Sequence, residues 1–302
     1  MKQSGAAIVM AILIVALAAI LAASLASRET IRASRLESVQ NRAEARWLAL
    51  AGTDFASAVL NDDAKRNTVD YPGEAWATIP PPIPVDGGEI SGYITDQQGL
   101  FNLNNLAING KTDPVQLDNF RRLLILLQLN PDLAQAVADW IDADGDVQSP
   151  GGAENNYYAG LPDPYRAANM PLVGIEDLYD IAGFDEPTIE RLRPFVSVLP
   201  VSTQINVNTA PPEVLSAILP GLTLDMARQL VNSRNQNYFM TTGDFASRIQ
   251  GKNIVVPDGE IEVASQFFLV TVKVKQWKTR VVMHTLLDRE GSSWPRKVWQ
   301  SS

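Results

Sequence analysis

From Ala6 to Ser27 every position is apolar or small. From Arg28 onward the pattern changes, and apolar residues recur at three- and four-residue steps: Ile31, Leu36, Val39, Ala43, Trp47, Leu50 and Ala51. The first pattern is that of a membrane-spanning helix, for which about 20 residues suffice. The second is that of an amphipathic helix. No Pro interrupts Arg28 to Leu60, and Gly52 is the only Gly there. Together they predict one long helix from Ala6 to Leu60 with its first half in lipid. A secretory signal peptide is the alternative for the N-terminus. Its apolar region is shorter, about 7–15 residues, and ends at a small-residue cleavage site, for which Ala22-Ala23-Ser24 or Ala26-Ser27 would serve. The uninterrupted helical pattern beyond Ser27 argues against removal of this segment.

The remaining patterns predict strands on either side of a helical block. Asn61 to Gly88 contains Tyr71-Pro72-Gly73 and Ile79-Pro80-Pro81-Pro82-Ile83-Pro84, a proline density that reads as a connecting loop in extended chain. Glu89 to Asp96 alternates as a strand, Gln97-Gln98-Gly99 reads as a turn, and Leu100 to Leu106 as a second extended piece. Helix signals then run from about Pro114 to Gln250. Helices are expected from Asp113-Pro114 to about Gln128, from Asn130-Pro131 through Trp140, and from starts near Gly174, Glu186-Pro187, Ala210-Pro211, Thr223 and Thr242. Phe267 to Asp288 alternates as a hairpin turning near Gln276-Trp277-Lys278. The basic, aromatic tail Trp294 to Trp299 reads as a frayed terminus. A hairpin cannot bury its apolar face alone, and the second half of the long helix is the natural cover. The helical block is then an insertion into an α+β domain.

The chain has 302 residues, a formal charge of −9, no cysteine and one histidine, His284, within a strand pattern. There is therefore no disulfide framework, thiol nucleophile or zinc–thiolate site. No nucleophile-elbow motif accompanies His284 and no glycine-rich phosphate loop is present. Nothing here reads as an enzyme.

Carboxylates concentrate at the end of the second predicted helix and after it: Asp139 within its last turn, then Asp142, Asp144, Asp146 and Glu154, with Gly145, Gly151 and Gly152 between them. Asp142, Asp144 and Asp146 have the one-three-five spacing of a calcium loop, and Glu154 lies one residue past the twelfth position of an EF-hand. Gly145 falls one place early and no helix clearly follows, so the logic is that of an EF-hand but the motif is not. Gly151-Gly152 lets the chain turn back and bring Glu154, with Asn155 beside it, to the same ion. Calcium takes 6–8 oxygen ligands, and clustered carboxylates repel one another without a cation. Mg²⁺ prefers to keep its waters and bind few carboxylates, and an oxygen-only set does not suit transition metals. A solvated acidic loop whose Asp residues cap helices is the alternative.

A polar leader ending in Gly5, followed by this helix, resembles the type IV pilin and pseudopilin superfamily. The resemblance implies that a prepilin peptidase cuts between Gly5 and Ala6 and that the new N-terminus is methylated. The family's fifth mature residue is usually Glu, which pairs with the N-terminal amine of the neighbouring subunit; here it is Met10. A carboxylate in hydrocarbon needs a partner, and a subunit with no neighbour ahead of it has no amine to offer, so Met10 points to a filament tip. Positive-inside counting favours the orientation opposite to the one the family implies, or leaves it undecided. The leader offers only Lys2 and the α-amine, whereas the far flank carries Arg28, Arg32 and Arg35 against Glu29 and Glu37.

The run from Asp139 through Glu154-Asn155-Asn156-Tyr157-Tyr158, then Pro164 to Asn169, then Ile205-Asn206-Val207-Asn208-Thr209-Ala210, resembles the type II secretion system minor pseudopilin, subunit K family. That resemblance implies calcium in the inserted α-domain and a place at the pseudopilus tip. It also implies the minor pseudopilins I and J as partners, with H and the major pseudopilin G as further filament neighbours. Two stretches, Ile175 to Arg193 and Glu213 to Arg234, each read as helix, Gly-containing hairpin, helix, that is as helix-hairpin-helix or SAM-like units, and the second resembles the helix-hairpin-helix of DNA-binding proteins, including membrane-anchored DNA receptors. From residue 131 to 250 there are 16 Asp/Glu against 6 Lys/Arg. Phosphate binding draws on basic neutralisation, so this block repels nucleic acid and the hairpins read as scaffold.

The expectation is thus an α+β, type IV pilin-like fold with a large inserted all-α domain. Its parts are a leader 1–5, a transmembrane helix 6–27, a pilin-like part 28–110, a helical insert 111–252 with the calcium loop, and C-terminal strands 253–302. It would be a single-pass inner-membrane protein with its C-terminal part in the periplasm, and a minor pseudopilin of type II secretion. The alternatives are a minor pilin of a type IV pilus and an anchored helix-hairpin-helix DNA-binding protein.

Overall fold

The computed structural model describes residues 4–249, 254–291 and 293–302. The first three leader residues and the expected insert boundary at 252 and 253 lie outside the described residues. Helix α1 runs from Ser4 to Arg66, past the expected end at Leu60. Leu60 and Asn61 are both buried, Arg66 pairs with Asp62 at 2.7 Å, and Lys65 and Arg66 suit the negative end of the helix dipole. From Ala7 to Glu29 every side chain is exposed. Burial begins at Ala45, where α1 meets the sheet.

The sheet has five antiparallel strands in the order Ile83–Val85, Gly88–Asp96, Phe267–Gln276, Thr279–Asp288, Arg296–Ser301. Two of these correct the sequence reading. Ile83–Val85 lies inside the expected proline loop, and as an edge strand it tolerates Pro84. The expected frayed tail is an edge strand paired to Thr279–Asp288, with His284 opposite Ser301 and Leu286 opposite Trp299; one neighbour supplies the pairing that no local pattern encodes. The hairpin is as read, its turn made by Trp277 at φ 51° and Lys278 between paired Gln276 and Thr279. His284 faces Thr271 across the hairpin, Nδ1 to Oγ1 3.1 Å.

Phe268, Val270, Val272 and Val274 on one face of the hairpin pack with Ala45, Ala49, Ala56 and Leu60 of α1. The helix presents small residues, and at Gly52 a Cβ would stand 2.9 Å from Val272 Cγ1 and 3.1 Å from Ile90 Cδ1. That spacing explains the one glycine in this half of the helix.

The helical insert has its own, larger core. It is built from α2 (Pro114–Leu126), α3 (Leu133–Ile141), α4 (Asn155–Tyr158), α5 (Glu186–Leu192), α6 (Pro212–Ile218), α7 (Leu224–Arg234) and α8 (Thr242–Ile249). Asp113, Asp185 and Thr223 cap α2, α5 and α7 through their side-chain oxygens, the start signals visible in sequence. Near Gly174 the helix is a 3-10 turn, Ile175–Asp180, rather than an α-helix. The extended piece Leu100 to Leu106 is a two-residue strand, Phe101–Asn102, followed by a 3-10 turn, Leu103–Leu106. Its Phe101, Leu103 and Leu106 lie in the core of the insert.

Insert and pilin-like body meet at a buried polar hub. Arg289, just past the hairpin, donates to Asp63 of α1 at 2.9 Å, to both oxygens of Asp70 at 2.6 Å and to the Ser265 carbonyl at 2.9 Å. Asp96, at the end of its strand, accepts from Gln98 N, Asn206 Nδ2, Thr209 Oγ1 and Ser265 Oγ at 2.8, 3.1, 2.5 and 2.7 Å. Glu74 accepts from Tyr71 N, Trp76 Nε1 and Asn67 Nδ2.

Burial raises Asp96 to about 6, against the lowering effect of the Thr209 and Ser265 hydrogen bonds. Between its unfolded value of 3.8 and about 6 the folded chain binds the extra proton, so this group's contribution to stability falls as pH rises through that window. Asp96→Asn removes the titration. The thermal midpoint of wild type relative to the variant should therefore drop as pH rises from about 4 to about 7, and a constant difference would refute this. Gly52→Leu should destabilise by about 1–3 kcal/mol through overpacking. Urea unfolding of the detergent-solubilised chain, followed by near-UV circular dichroism, measures it.

Candidate metal centre

Helix α3 is buried along its whole length, which holds the carboxylates at its C-terminal end in fixed positions. Asp142 is its C-cap and is 1% exposed. One of its oxygens, Oδ2, accepts from Thr112 Oγ1 at 2.9 Å and Gln148 Nε2 at 3.3 Å; the other, Oδ1, is buried without a partner. Asp144 Oδ1 accepts from Asp146 N at 2.9 Å, and its carbonyl accepts from Asn169 Nδ2 at 2.7 Å. Glu154 is 2% exposed; Oε2 accepts from Asn155 N at 3.3 Å and Oε1 is buried without a partner.

Contrary to the sequence reading, a helix does follow the loop. Glu154 is the N-cap of the four-residue α4, which ends in the fully buried Tyr158. Tyr158 packs edge-on against Trp140 of α3, ring centroids 5.1 Å apart. This aromatic contact pins the two ends of the acidic loop together. Gly152 makes the return path: a Cβ there would lie 2.3 Å from both Asp139 Oδ2 and the Gln148 carbonyl.

Of the residues proposed from sequence, Asp142, Asp144 and Glu154 each offer an oxygen within 4.8 Å of the others. Asp146 and Asn155 are not in that group. Asp146 is exposed and engages Asp144 through its backbone, and Asn155 Oδ1 accepts from Ala167 N at 3.2 Å. Asn169 joins the site unforeseen. It sits at φ 47°, donates to the loop, and its Oδ1 is buried without a partner. Thr112 and Gln148 likewise orient Asp142. Local spacing could not show any of the three, although Asn is among the few side chains that accept positive φ.

Electrostatics describe a site short of positive charge. Burial raises Asp139 to about 7, with the Asp142 and Glu154 charges adding to it and the Gln148 amide opposing. Asp142 is raised by burial first, then by Asp144. Glu154 is raised by burial first, then by Asp142, Asp144 and Asp146. Among the described residues no Lys or Arg pairs with any of them. Three buried oxygens without partners beside clustered carboxylates, all hard donors, fit a cation that binds oxygen. The other close acidic group, Asp63, Asp70 and Glu74, already has Arg289 as its cation.

Residues 99–201 and 205–264 match two family models described as type II secretion system protein K. The type II secretion system protein K of Pseudomonas aeruginosa is 34% identical over 302 residues, spanning 95% of this chain and 89% of the relative. That of Pectobacterium carotovorum is 34% identical, spanning 96% and 94%. The chain belongs to the type II secretion system protein K family. It is a minor pseudopilin of that system. The fold agrees with a crystal structure of the GspK–GspI–GspJ complex from enterotoxigenic Escherichia coli, with a TM-score of 0.79 at 23% identity over 88% of this chain and 98% of that one. In this pseudopilin Gly5 and Ala6 lie in the first turns of α1, and Met10 is 67% exposed on its uncovered apolar stretch.

Proposed function

We propose that this pseudopilin occupies the tip of a short periplasmic filament, where it starts or caps assembly with the minor pseudopilins I and J for export of folded proteins across the outer membrane. The observation that carries the reading is the insert, a second hydrophobic core fixed to a pilin-like body, too bulky for another subunit to stack above it. Met10 agrees with it, because an apolar residue needs no amine ahead of it. Prepilin peptidase cuts between Gly5 and Ala6, the new amine is methylated, and α1 stays in the inner membrane with the sheet and insert in the periplasm.

Calcium belongs to this reading. Asp142, Asp144 and Glu154 supply carboxylate oxygens, with Asp146, Asn155 and Asn169 at the edge of the set. The ion neutralises the loop and ties the end of α3 to the start of α4. Insert rigidity is its contribution; it has no chemical step to perform.

Co-expression with pseudopilins I and J and a prepilin peptidase tests the assembly reading. The chain should lose Met1 to Gly5 by mass and co-purify with both partners. Cleavage near Ser24 to Ser27, or failure to bind either partner, refutes it. Asp144→Ala should lower the thermal midpoint in calcium and leave it unchanged in chelator. Equal loss in both conditions removes the metal.

A further inference from the structure

We propose that α1, just beyond its membrane span, binds anionic phospholipid headgroups through Arg28, Arg32 and Arg35. This rests on the reading of Ala6 to Ser27 as a membrane span. Steps of four and three residues at about 100° each keep the three arginines on one stripe. Glu29 and Glu37 fall to the side and the back of the helix. All three arginines are exposed. Among the described residues Arg32 pairs only with Glu29, at 2.9 Å and largely exposed, while Arg28 and Arg35 pair with nothing. Solvent-exposed pairs of that kind contribute little, so the stripe stays net positive inside a chain whose formal charge is −9.

Geometry selects lipid as the partner. Arg35 lies about 12 Å beyond Ser27 along the axis, and helical side chains lean toward the helix N-terminus, here toward the bilayer. Arginine stems reach further by snorkelling. All three guanidinium groups therefore reach the headgroup layer, where their forked donors match phosphate. Beside them Ile31, Ser34, Arg35, Ser38 and Val39 line a shallow notch that suits the glycerol end of a lipid. Arg42 and Arg46 continue the stripe, but about 22 and 28 Å beyond Ser27 they are out of headgroup reach.

The test uses the full chain in vesicles of phosphatidylcholine containing spin-labelled phosphatidylglycerol, with the protein-restricted lipid fraction as readout. Each arginine near the surface should contribute roughly fivefold in lipid preference at low salt. Wild type should select phosphatidylglycerol; Arg28→Gln/Arg32→Gln/Arg35→Gln should lose that preference, as should wild type in high salt. Arg42→Gln/Arg46→Gln should keep it. Equal preference in wild type and the triple variant overturns the proposal, as does equal loss in the distal pair. Lipid preference retained by the triple variant, with loss of binding to pseudopilins I and J, would make the stripe a protein interface instead. Carbonate extraction reads the anchor separately: release of the chain removes the membrane reading and this proposal with it, whereas retention without lipid preference removes the proposal alone.

Discussion

The two halves of this molecule meet at one buried polar network organised around a guanidinium and a carboxylate, Arg289 and Asp96. Arg289 reaches Asp63 at the end of α1, Asp70 in the loop beyond it and the Ser265 carbonyl where the chain returns from the insert. Its other face lies over the Phe268 ring at 4.5 Å. Through Ser265 and Asn206 the same network includes Asp96, where the chain leaves the body. Exit and return of a large insertion are thus fixed at one point. Removing one member of such a buried pair typically costs about 3–5 kcal/mol, because the partner charge is left without compensation.

The acidic loop is the opposite case. There the carboxylates are brought together by packing of apolar residues: the buried α3, the fully buried Tyr158 and the Trp140–Tyr158 contact. The core holds Asp142 and Glu154 almost out of water while leaving one oxygen of each without a partner. Hub and loop contain similar residues, and they differ in whether an arginine is supplied. That difference leaves the hub neutralised within the chain and the loop short of a counter-charge.

Helix α1 carries three environments along one continuous backbone. Its first part is uncovered apolar surface, its middle is a basic, solvated stem, and its last part is a small-residue stripe against the sheet. The order follows from the sequence pattern alone. The close approach of helix and sheet at Gly52 also depends on which hairpin face is turned toward it.

Periodic burial made most of this architecture legible. Ala6 to Leu60, the Phe267–Asp288 hairpin, the capped helices of the insert and the acidic loop each carry a local pattern, whether a helical or strand period, an Asp or Thr cap, or a carboxylate spacing. The sequence also carries the motifs from Asp139 to Ala210 that identify the family. What it could not specify needs partners far along the chain. The C-terminal edge strand exists because Thr279–Asp288 offers an open edge. The strand at Ile83–Val85 survives Pro84 because it has no second neighbour. Asn169 reaches a loop 25 residues away, and Arg289 meets Asp70 across 219 residues. Local propensity determines which elements form, but long-range polar contacts carry no period, so only the tertiary structure decided where the insert sits and which carboxylates lack a counter-charge.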